Sequence, residues 1–369
     1  MNFSNWYQTI GNSISYNSSK QGFEFVHFGE VGIVNKENIV TLKFGNVDEF
    51  ASRLIFFDME PFSQKPDLYG PILYNVGNDV DLRANRIIAS SDYNNQLLDS
   101  FVDDLFEKTN RRYKIWYYFS HAFIALDWFR EYKFYNVNDI VNAKSFDYAF
   151  ITSNRLVDGA RNYRLSLVSE LAHRNLQHRG VISCSKENLT LSNKFDNILT
   201  EDRISKIRKH CQEDIRYDFL DADQIIPNQS MHINMSVVNQ SFLDIVTETC
   251  FYDRFNHLTE KIFKPIIMLQ PFVLCSTPHS LSYLKRYGFK TFDKWIDESY
   301  DGISNPEKRI MAITDQIEKF ASMSKSQLHD IYDEMLPTLE YNRSHFFNNL
   351  YDIVNKEMWD NFNIVYNKK

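Results

Sequence analysis

Short apolar runs alternate with stretches of helical period along most of this chain. Val31 to Val34, Ile39 to Leu42 and Arg53 to Phe57 read as strands, the last closing on Asp58-Met59-Glu60-Pro61. Asn85 to Ser90 reads as another strand, and Asp92 to Lys108 as a capped amphipathic helix with Leu97, Leu98, Phe101 and Leu105 on one side. Asp147 to Ile151 predicts a strand, followed by the loop Thr152-Ser153-Asn154 and a helix carrying Leu165, Val168 and Leu171. Strand, loop and helix in succession are the signature of a parallel α/β sheet. Towards the C-terminus helices take over. Ser304-Asn305-Pro306 caps one that carries Ile310, Ile313, Ile317 and Phe320, Pro337 is expected to break the next, and the last carries Phe346, Leu350 and Ile353.

A chain of 369 residues exceeds one ordinary core, so two domains are expected. The aromatic-rich run Ile115 to Phe129 gives way to a polar stretch, which puts the boundary within residues 135–146. This divides the chain into an N-terminal domain over 1–140, a C-terminal domain over 141–335, and a helical segment over 336–369 able to pack back on the first. The net charge of −7 weighs against broad attraction to nucleic acid or an anionic membrane, although a local basic groove stays compatible with it. The first residues lack a basic stretch followed by an apolar one, and no run reaches the eighteen or so apolar residues of a membrane span. A cytoplasmic protein is therefore expected. Cys184, Cys211, Cys250 and Cys275 lie far apart, which predicts buried reduced thiols rather than a zinc site.

Candidate chemistry concentrates between Ser241 and Pro271. Two Thr-Glu steps, Thr247-Glu248 and Thr259-Glu260, frame this stretch, and Lys261 follows the second at once. A helical run (Ile262, Ile266, Leu269) and the apolar strand Pro271 to Cys275 come next. Carboxylates and a lysine at the mouth of a helix, between two strands, suit an anionic ligand rich in hydroxyls. A lysine there opposes the helix dipole, a conflict that a bound phosphate would resolve. Together these groups point to a nucleotide-sugar.

These residues resemble the donor-binding motif of the α1,3-fucosyltransferase-like glycosyltransferases. In that family an acidic residue after a strand precedes a V-T-E-K step, and here twelve positions separate Glu248 from Glu260, two more than in the family pattern. Asn154 with the Arg161 that follows is similar to a second family segment, whose arginine contacts the donor diphosphate. Leu54 to Glu60 resembles the strand that carries the proposed catalytic base, and Gly288 to Asp301 is similar to a stretch in a phage and bacterial branch. The resemblance implies an inverting, metal-independent enzyme of the GT-B type, with two Rossmann-like domains facing a cleft. It implies an N-terminal acceptor domain, a C-terminal donor domain, no metal or cofactor, and a GDP-linked sugar, fucose first, passed to a glycan hydroxyl. It implies Arg161 and Lys261 on the diphosphate, Glu248 and Glu260 on ribose or sugar hydroxyls, Asn154 beside them, and Glu60 as base.

Each residue has rivals. Arg155 and Arg164 compete with Arg161, and Asp58 and His121 compete with Glu60 as acceptor-side groups. Asp127 and Arg130 have the spacing of an ordinary helix ion pair. Two other functions stay open: a transferase using UDP-sugars or acting on protein or a modified nucleobase, and a non-catalytic sugar-binding protein on a degenerate scaffold of the same kind.

Overall fold

The computed structural model describes residues 22–28, 39–44, 50–56, 61, 85–110, 112–154, 157, 159–184 and 233–367. The strand expected at Val31 to Val34 lies outside the described residues, as do Asp58 and Glu60. The chain divides into two compact units, residues 1–123 with 352–369, and residues 124–351.

The first unit holds a five-stranded sheet: β1 (Gly22–Phe28), β2 (Ile39–Phe44), β3 (Phe50–Phe56), β4 (Asn85–Ser90) and β5 (Tyr113–Tyr117). Their order is β2-β1-β3-β4-β5, with β2 antiparallel at one edge and every other pairing parallel. Ile87 and Ile88 are adjacent in β4, point to opposite faces, and are both fully buried, as a strand covered on both sides requires. Helix α1 (Gln96–Thr109) starts later than the sequence pattern indicates. Asn95 caps it by accepting from the Leu97 and Leu98 amides, while Asp92 accepts from the Asn95 side chain at 2.8 Å. Leu98 and Leu105 turn inward, and Leu97, about 100° round the helix from Leu98, is exposed. The indole of Trp116 on β5 is fully buried, donates to the Met358 carbonyl at 3.0 Å and meets Phe362 edge-on.

Helices α2 (Ser120–Trp128) and α3 (Val137–Asn142) lead into the second sheet. Its strands are β6 (Tyr148–Asn154), β7 (Gly180–Cys184), β8 (Ser241–Thr247) and β9 (Phe272–Cys275). They are all parallel, in the order β7-β6-β8-β9. Gly180 is required where it stands: a Cβ there would meet the Phe150 ring of β6 at 2.3 Å. Helix α4 (Tyr163–His173) joins β6 to β7, and α5 (Met235–Gln240) leads into β8. Short helices α6 (Phe263–Ile267) and α7 (Ser280–Arg286) precede and follow β9. Helix α8 (Pro306–Ala321) packs on α4 and β6 through Ile313 and Ile317, both fully buried.

Helix α9 (Lys325–Asn348) runs through Pro337 without a break. The proline removes one backbone donor, but Met335 and Leu339 on either side are buried, and that packing outweighs the lost hydrogen bond. The interruption falls instead at Asn349, before α10 (Leu350–Asn367). No helix among the described residues is long and apolar enough to cross a membrane.

Because β6 leads to β7 on one side and β8 leads to β9 on the other, the connections leaving β6 and β8 diverge at the carboxyl edge. In open parallel sheets that divergence opens the crevice where ligands bind.

Candidate functional site

Asn154 closes β6 and Thr247 closes β8, side by side at this point of divergence. The Thr247 hydroxyl lies 3.0 Å from the Ser153 carbonyl and 3.1 Å from Asn154 Oδ1, and Asn154 donates to Thr152 Oγ1 at 3.2 Å. Asn154 is fully buried, so its side chain ties two strand ends together.

Glu248, the next residue after β8, is also fully buried. One carboxylate oxygen accepts from the Thr259 amide at 3.1 Å and the other from the Thr259 hydroxyl at 2.5 Å. The two Thr-Glu steps that stand apart in sequence are thereby joined in space. Thr259 is extended and caps the single helical turn Glu260–Ile262. Its Oγ1 accepts from Lys261 Nζ at 3.0 Å, and Glu260 Oε1 lies 3.2 Å from the same ammonium. Glu260 is buried, whereas the Lys261 side chain keeps 33% of its surface exposed. The carboxylate of Glu248 thus anchors a turn that leaves a cation accessible.

The arginine rivals separate cleanly. Arg164, on the first turn of α4, is buried and donates from Nη2 to the carbonyls of Thr247 and Glu248, each at 3.0 Å. The Tyr163 hydroxyl donates to the same Glu248 carbonyl. Burial raises the Tyr163 pKa far above its ordinary value. Arg164 and Tyr163 therefore brace the end of β8 through its main chain. Arg161 ends the helical turn Gly159–Arg161 and is only half-buried, three positions before Arg164. Arg155 lies outside the described residues.

Among the acceptor-side candidates, Glu60 and Asp58 lie outside the described residues, and His121 is buried on the first turn of α2. Asp127 and Arg130 form the ordinary ion pair their spacing predicts, at 3.1 Å. Among the described residues no group of three or more His, Cys, Asp or Glu is placed to hold a metal ion. Cys250 and Cys275 are buried and outside any disulfide, and burial pushes the Cys275 thiol up to about 12.

Sequence reasoning missed four residues around the site. Thr259 was read as half of a Thr-Glu step, although threonine immediately before a helical turn is also a capping signal. Tyr163 donates to the Glu248 carbonyl 85 positions away, and Arg309 donates to the Phe251 carbonyl 58 positions away as well as to the nearby Ile303 carbonyl; neither long-range partner leaves a local signal in the sequence. Lys264, one turn beyond Glu260, is half-buried; burial lowers its pKa while the Glu260 carboxylate opposes that shift.

No family model matches this chain, and no curated protein matches it. Among solved structures it is similar to a UDP-forming α,α-trehalose-phosphate synthase from Burkholderia xenovorans, at 13% identity and a TM-score of 0.35. The match covers 84% of this chain and 68% of that one. So loose a likeness carries no argument about activity.

Proposed function

We propose that this chain is a glycosyltransferase of the GT-B type. It would move a sugar from a nucleotide-sugar to a glycan hydroxyl by inverting, metal-independent displacement, with GDP-fucose the first donor to test. The observation that supports this reading is the Lys261 ammonium, accessible at the carboxyl edge of a parallel sheet on a turn anchored by the buried Glu248. Cationic groups held in place before the reaction stabilise charge as it develops on a departing diphosphate.

In this account Lys261 and Arg161 take the diphosphate, and Glu260 accepts from a ribose or sugar hydroxyl. Glu248 and Asn154 position the two loops that present those groups. The acceptor oxygen attacks the anomeric carbon as the bond from that carbon to the diphosphate oxygen breaks. The diphosphate leaves with the bonding electrons, and the acceptor proton passes to a general base. Glu60 is proposed for that base from sequence alone, with Asp58 and His121 as rivals.

The test is mass spectrometry of reactions containing a panel of GDP-, UDP-, CMP- and dTDP-sugars with glycan acceptors. A product heavier by one sugar, with inverted anomeric configuration by NMR, is expected from a GDP-sugar without added metal. Transfer from none of the donors would overturn the proposal.

A further inference from the structure

The connection leaving β8 carries an aromatic assembly next to the candidate site. Phe251 is fully buried and stacks on Tyr163, with ring centroids 4.2 Å apart and planes 9° from parallel. The Arg309 guanidinium lies 4.1 Å from the Phe251 ring centre and donates to the Phe251 carbonyl. On this base stands Tyr252, edge-on to Phe251 at 5.5 Å and to Tyr163 at 6.3 Å. Its hydroxyl donates to Asn162 Oδ1 at 2.5 Å. Held at its edge and its tip, Tyr252 still keeps 44% of its surface exposed.

That combination is unusual for packing alone. A surface tyrosine gains little from being fixed and loses rotamer freedom by it. A ring already immobile before a ligand arrives loses no further freedom when something stacks on it, so binding there is stronger. Asn162, which holds the Tyr252 hydroxyl, directly follows Arg161 in the chain. The Tyr163 hydroxyl ties the same assembly to the Glu248 carbonyl, hence to the turn that carries Lys261. The fixed ring is thus built into the framework that presents both proposed diphosphate cations.

Resting on the nucleotide-sugar reading above, we propose that Tyr252 is the stacking platform for the nucleobase of the donor. Stacking on an aromatic face tolerates any base, so Tyr252 contributes affinity for a nucleoside without choosing guanine over uracil.

The experiment compares wild type, Tyr252→Ala and Tyr252→Trp for binding of GDP and of inorganic pyrophosphate, a probe without a base. Tyr252→Ala is expected to weaken GDP roughly tenfold or more, the scale of one base–aromatic stack, and to leave pyrophosphate unchanged. Tyr252→Trp should restore GDP affinity and add fluorescence quenching on GDP binding that wild type lacks. Unchanged GDP affinity in Tyr252→Ala would overturn the proposal, as would equal weakening of GDP and pyrophosphate, which would mark a purely structural tyrosine. Wild type that binds pyrophosphate but no nucleoside diphosphate would refute the stacking role and leave the anion site standing. Wild type that binds neither would overturn the nucleotide-sugar reading itself.

Discussion

Two stretches of the second unit, 248–261 and 288–301, both combine acidic residues with a lysine at short spacing. In the second, three of the four acids accept hydrogen bonds from neighbouring segments, and the exposed Asp293 lies 3.8 Å from Lys285. Asp297 accepts from the Ser299 amide, Asp301 accepts from the Leu281 amide with both oxygens, and Glu298 accepts from the Thr291 hydroxyl and the Phe292 amide. Lys290 lies over the Tyr341 ring at 4.1 Å, while its amide and carbonyl pair with Asn342. In the first stretch Glu248 is engaged just as fully, but with a turn that presents a partly exposed lysine at the strand-end divergence. Residue type does not separate the two stretches. Glu298 too holds a partly exposed lysine, Lys285 at 3.2 Å, so what separates the stretches is position: only the first begins at the end of β8, where the connections leaving β6 and β8 diverge.

Substitution of Glu248 and Glu298 is the strongest way to break this contrast. Glu248→Ala leaves the Thr259 amide and hydroxyl without their partner and should cost about 3 kcal/mol of stability. It should also abolish measurable nucleoside diphosphate binding. Glu298→Ala should cost about 2 kcal/mol and leave binding untouched. Urea denaturation and calorimetric titration on the same preparations read both effects, and loss of binding in Glu298→Ala would erase the distinction.

The arginines sharpen it next. Arg164 braces main-chain carbonyls, so Arg164→Ala should lower stability by about 2 kcal/mol, the scale of hydrogen bonds made by a charged donor. Arg161→Ala, at a half-buried position, should cost less stability than Arg164→Ala and weaken GDP by about tenfold, a change of about 1.4 kcal/mol. Reversed outcomes would give the diphosphate to Arg164.

A third contrast sets Lys261 against Lys144, which is buried before β6. Burial lowers the Lys144 pKa to about 7 from the ordinary 10.5, with Asp244 opposing the shift. Between those values the unfolded chain binds the proton that the folded chain releases, so stability rises with pH from about 7 to about 10.5. Lys144→Met should flatten that rise in urea midpoints measured from pH 7 to 9, leaving the part contributed by Lys264, whose pKa burial also lowers. A slope unchanged by the substitution would assign the pH dependence elsewhere.

The α/β class was legible because β4, β6 and β9 are apolar runs bounded by polar turns, buried on both faces. Strand order was not, since β6 pairs with β8 across about 90 residues and no local pattern records that choice. β7 escaped notice because a five-residue strand opening on Gly180 looks like a turn until Phe150 is seen against it. At the site, Glu248, Glu260, Lys261, Asn154 and Arg161 were legible as residues worth watching. Their division into anchors and presented groups was not, because it depends on burial and on a hydrogen bond spanning eleven positions. The choice between Arg161 and Arg164 turns on three positions of helix phase, finer than a sequence pattern resolves.

The central claim is that Lys261 and its anchored turn bind the diphosphate of a nucleotide-sugar. Calorimetric titration of GDP, UDP, CDP and dTDP into wild type and Lys261→Ala, in metal-free buffer, tests it most directly. The account predicts that wild type binds GDP and that Lys261→Ala, still folded at the titration temperature, binds it ten- to a hundredfold more weakly, about 1.5–3 kcal/mol. Equal affinity in the two proteins, or no binding of any nucleotide by wild type, would contradict it.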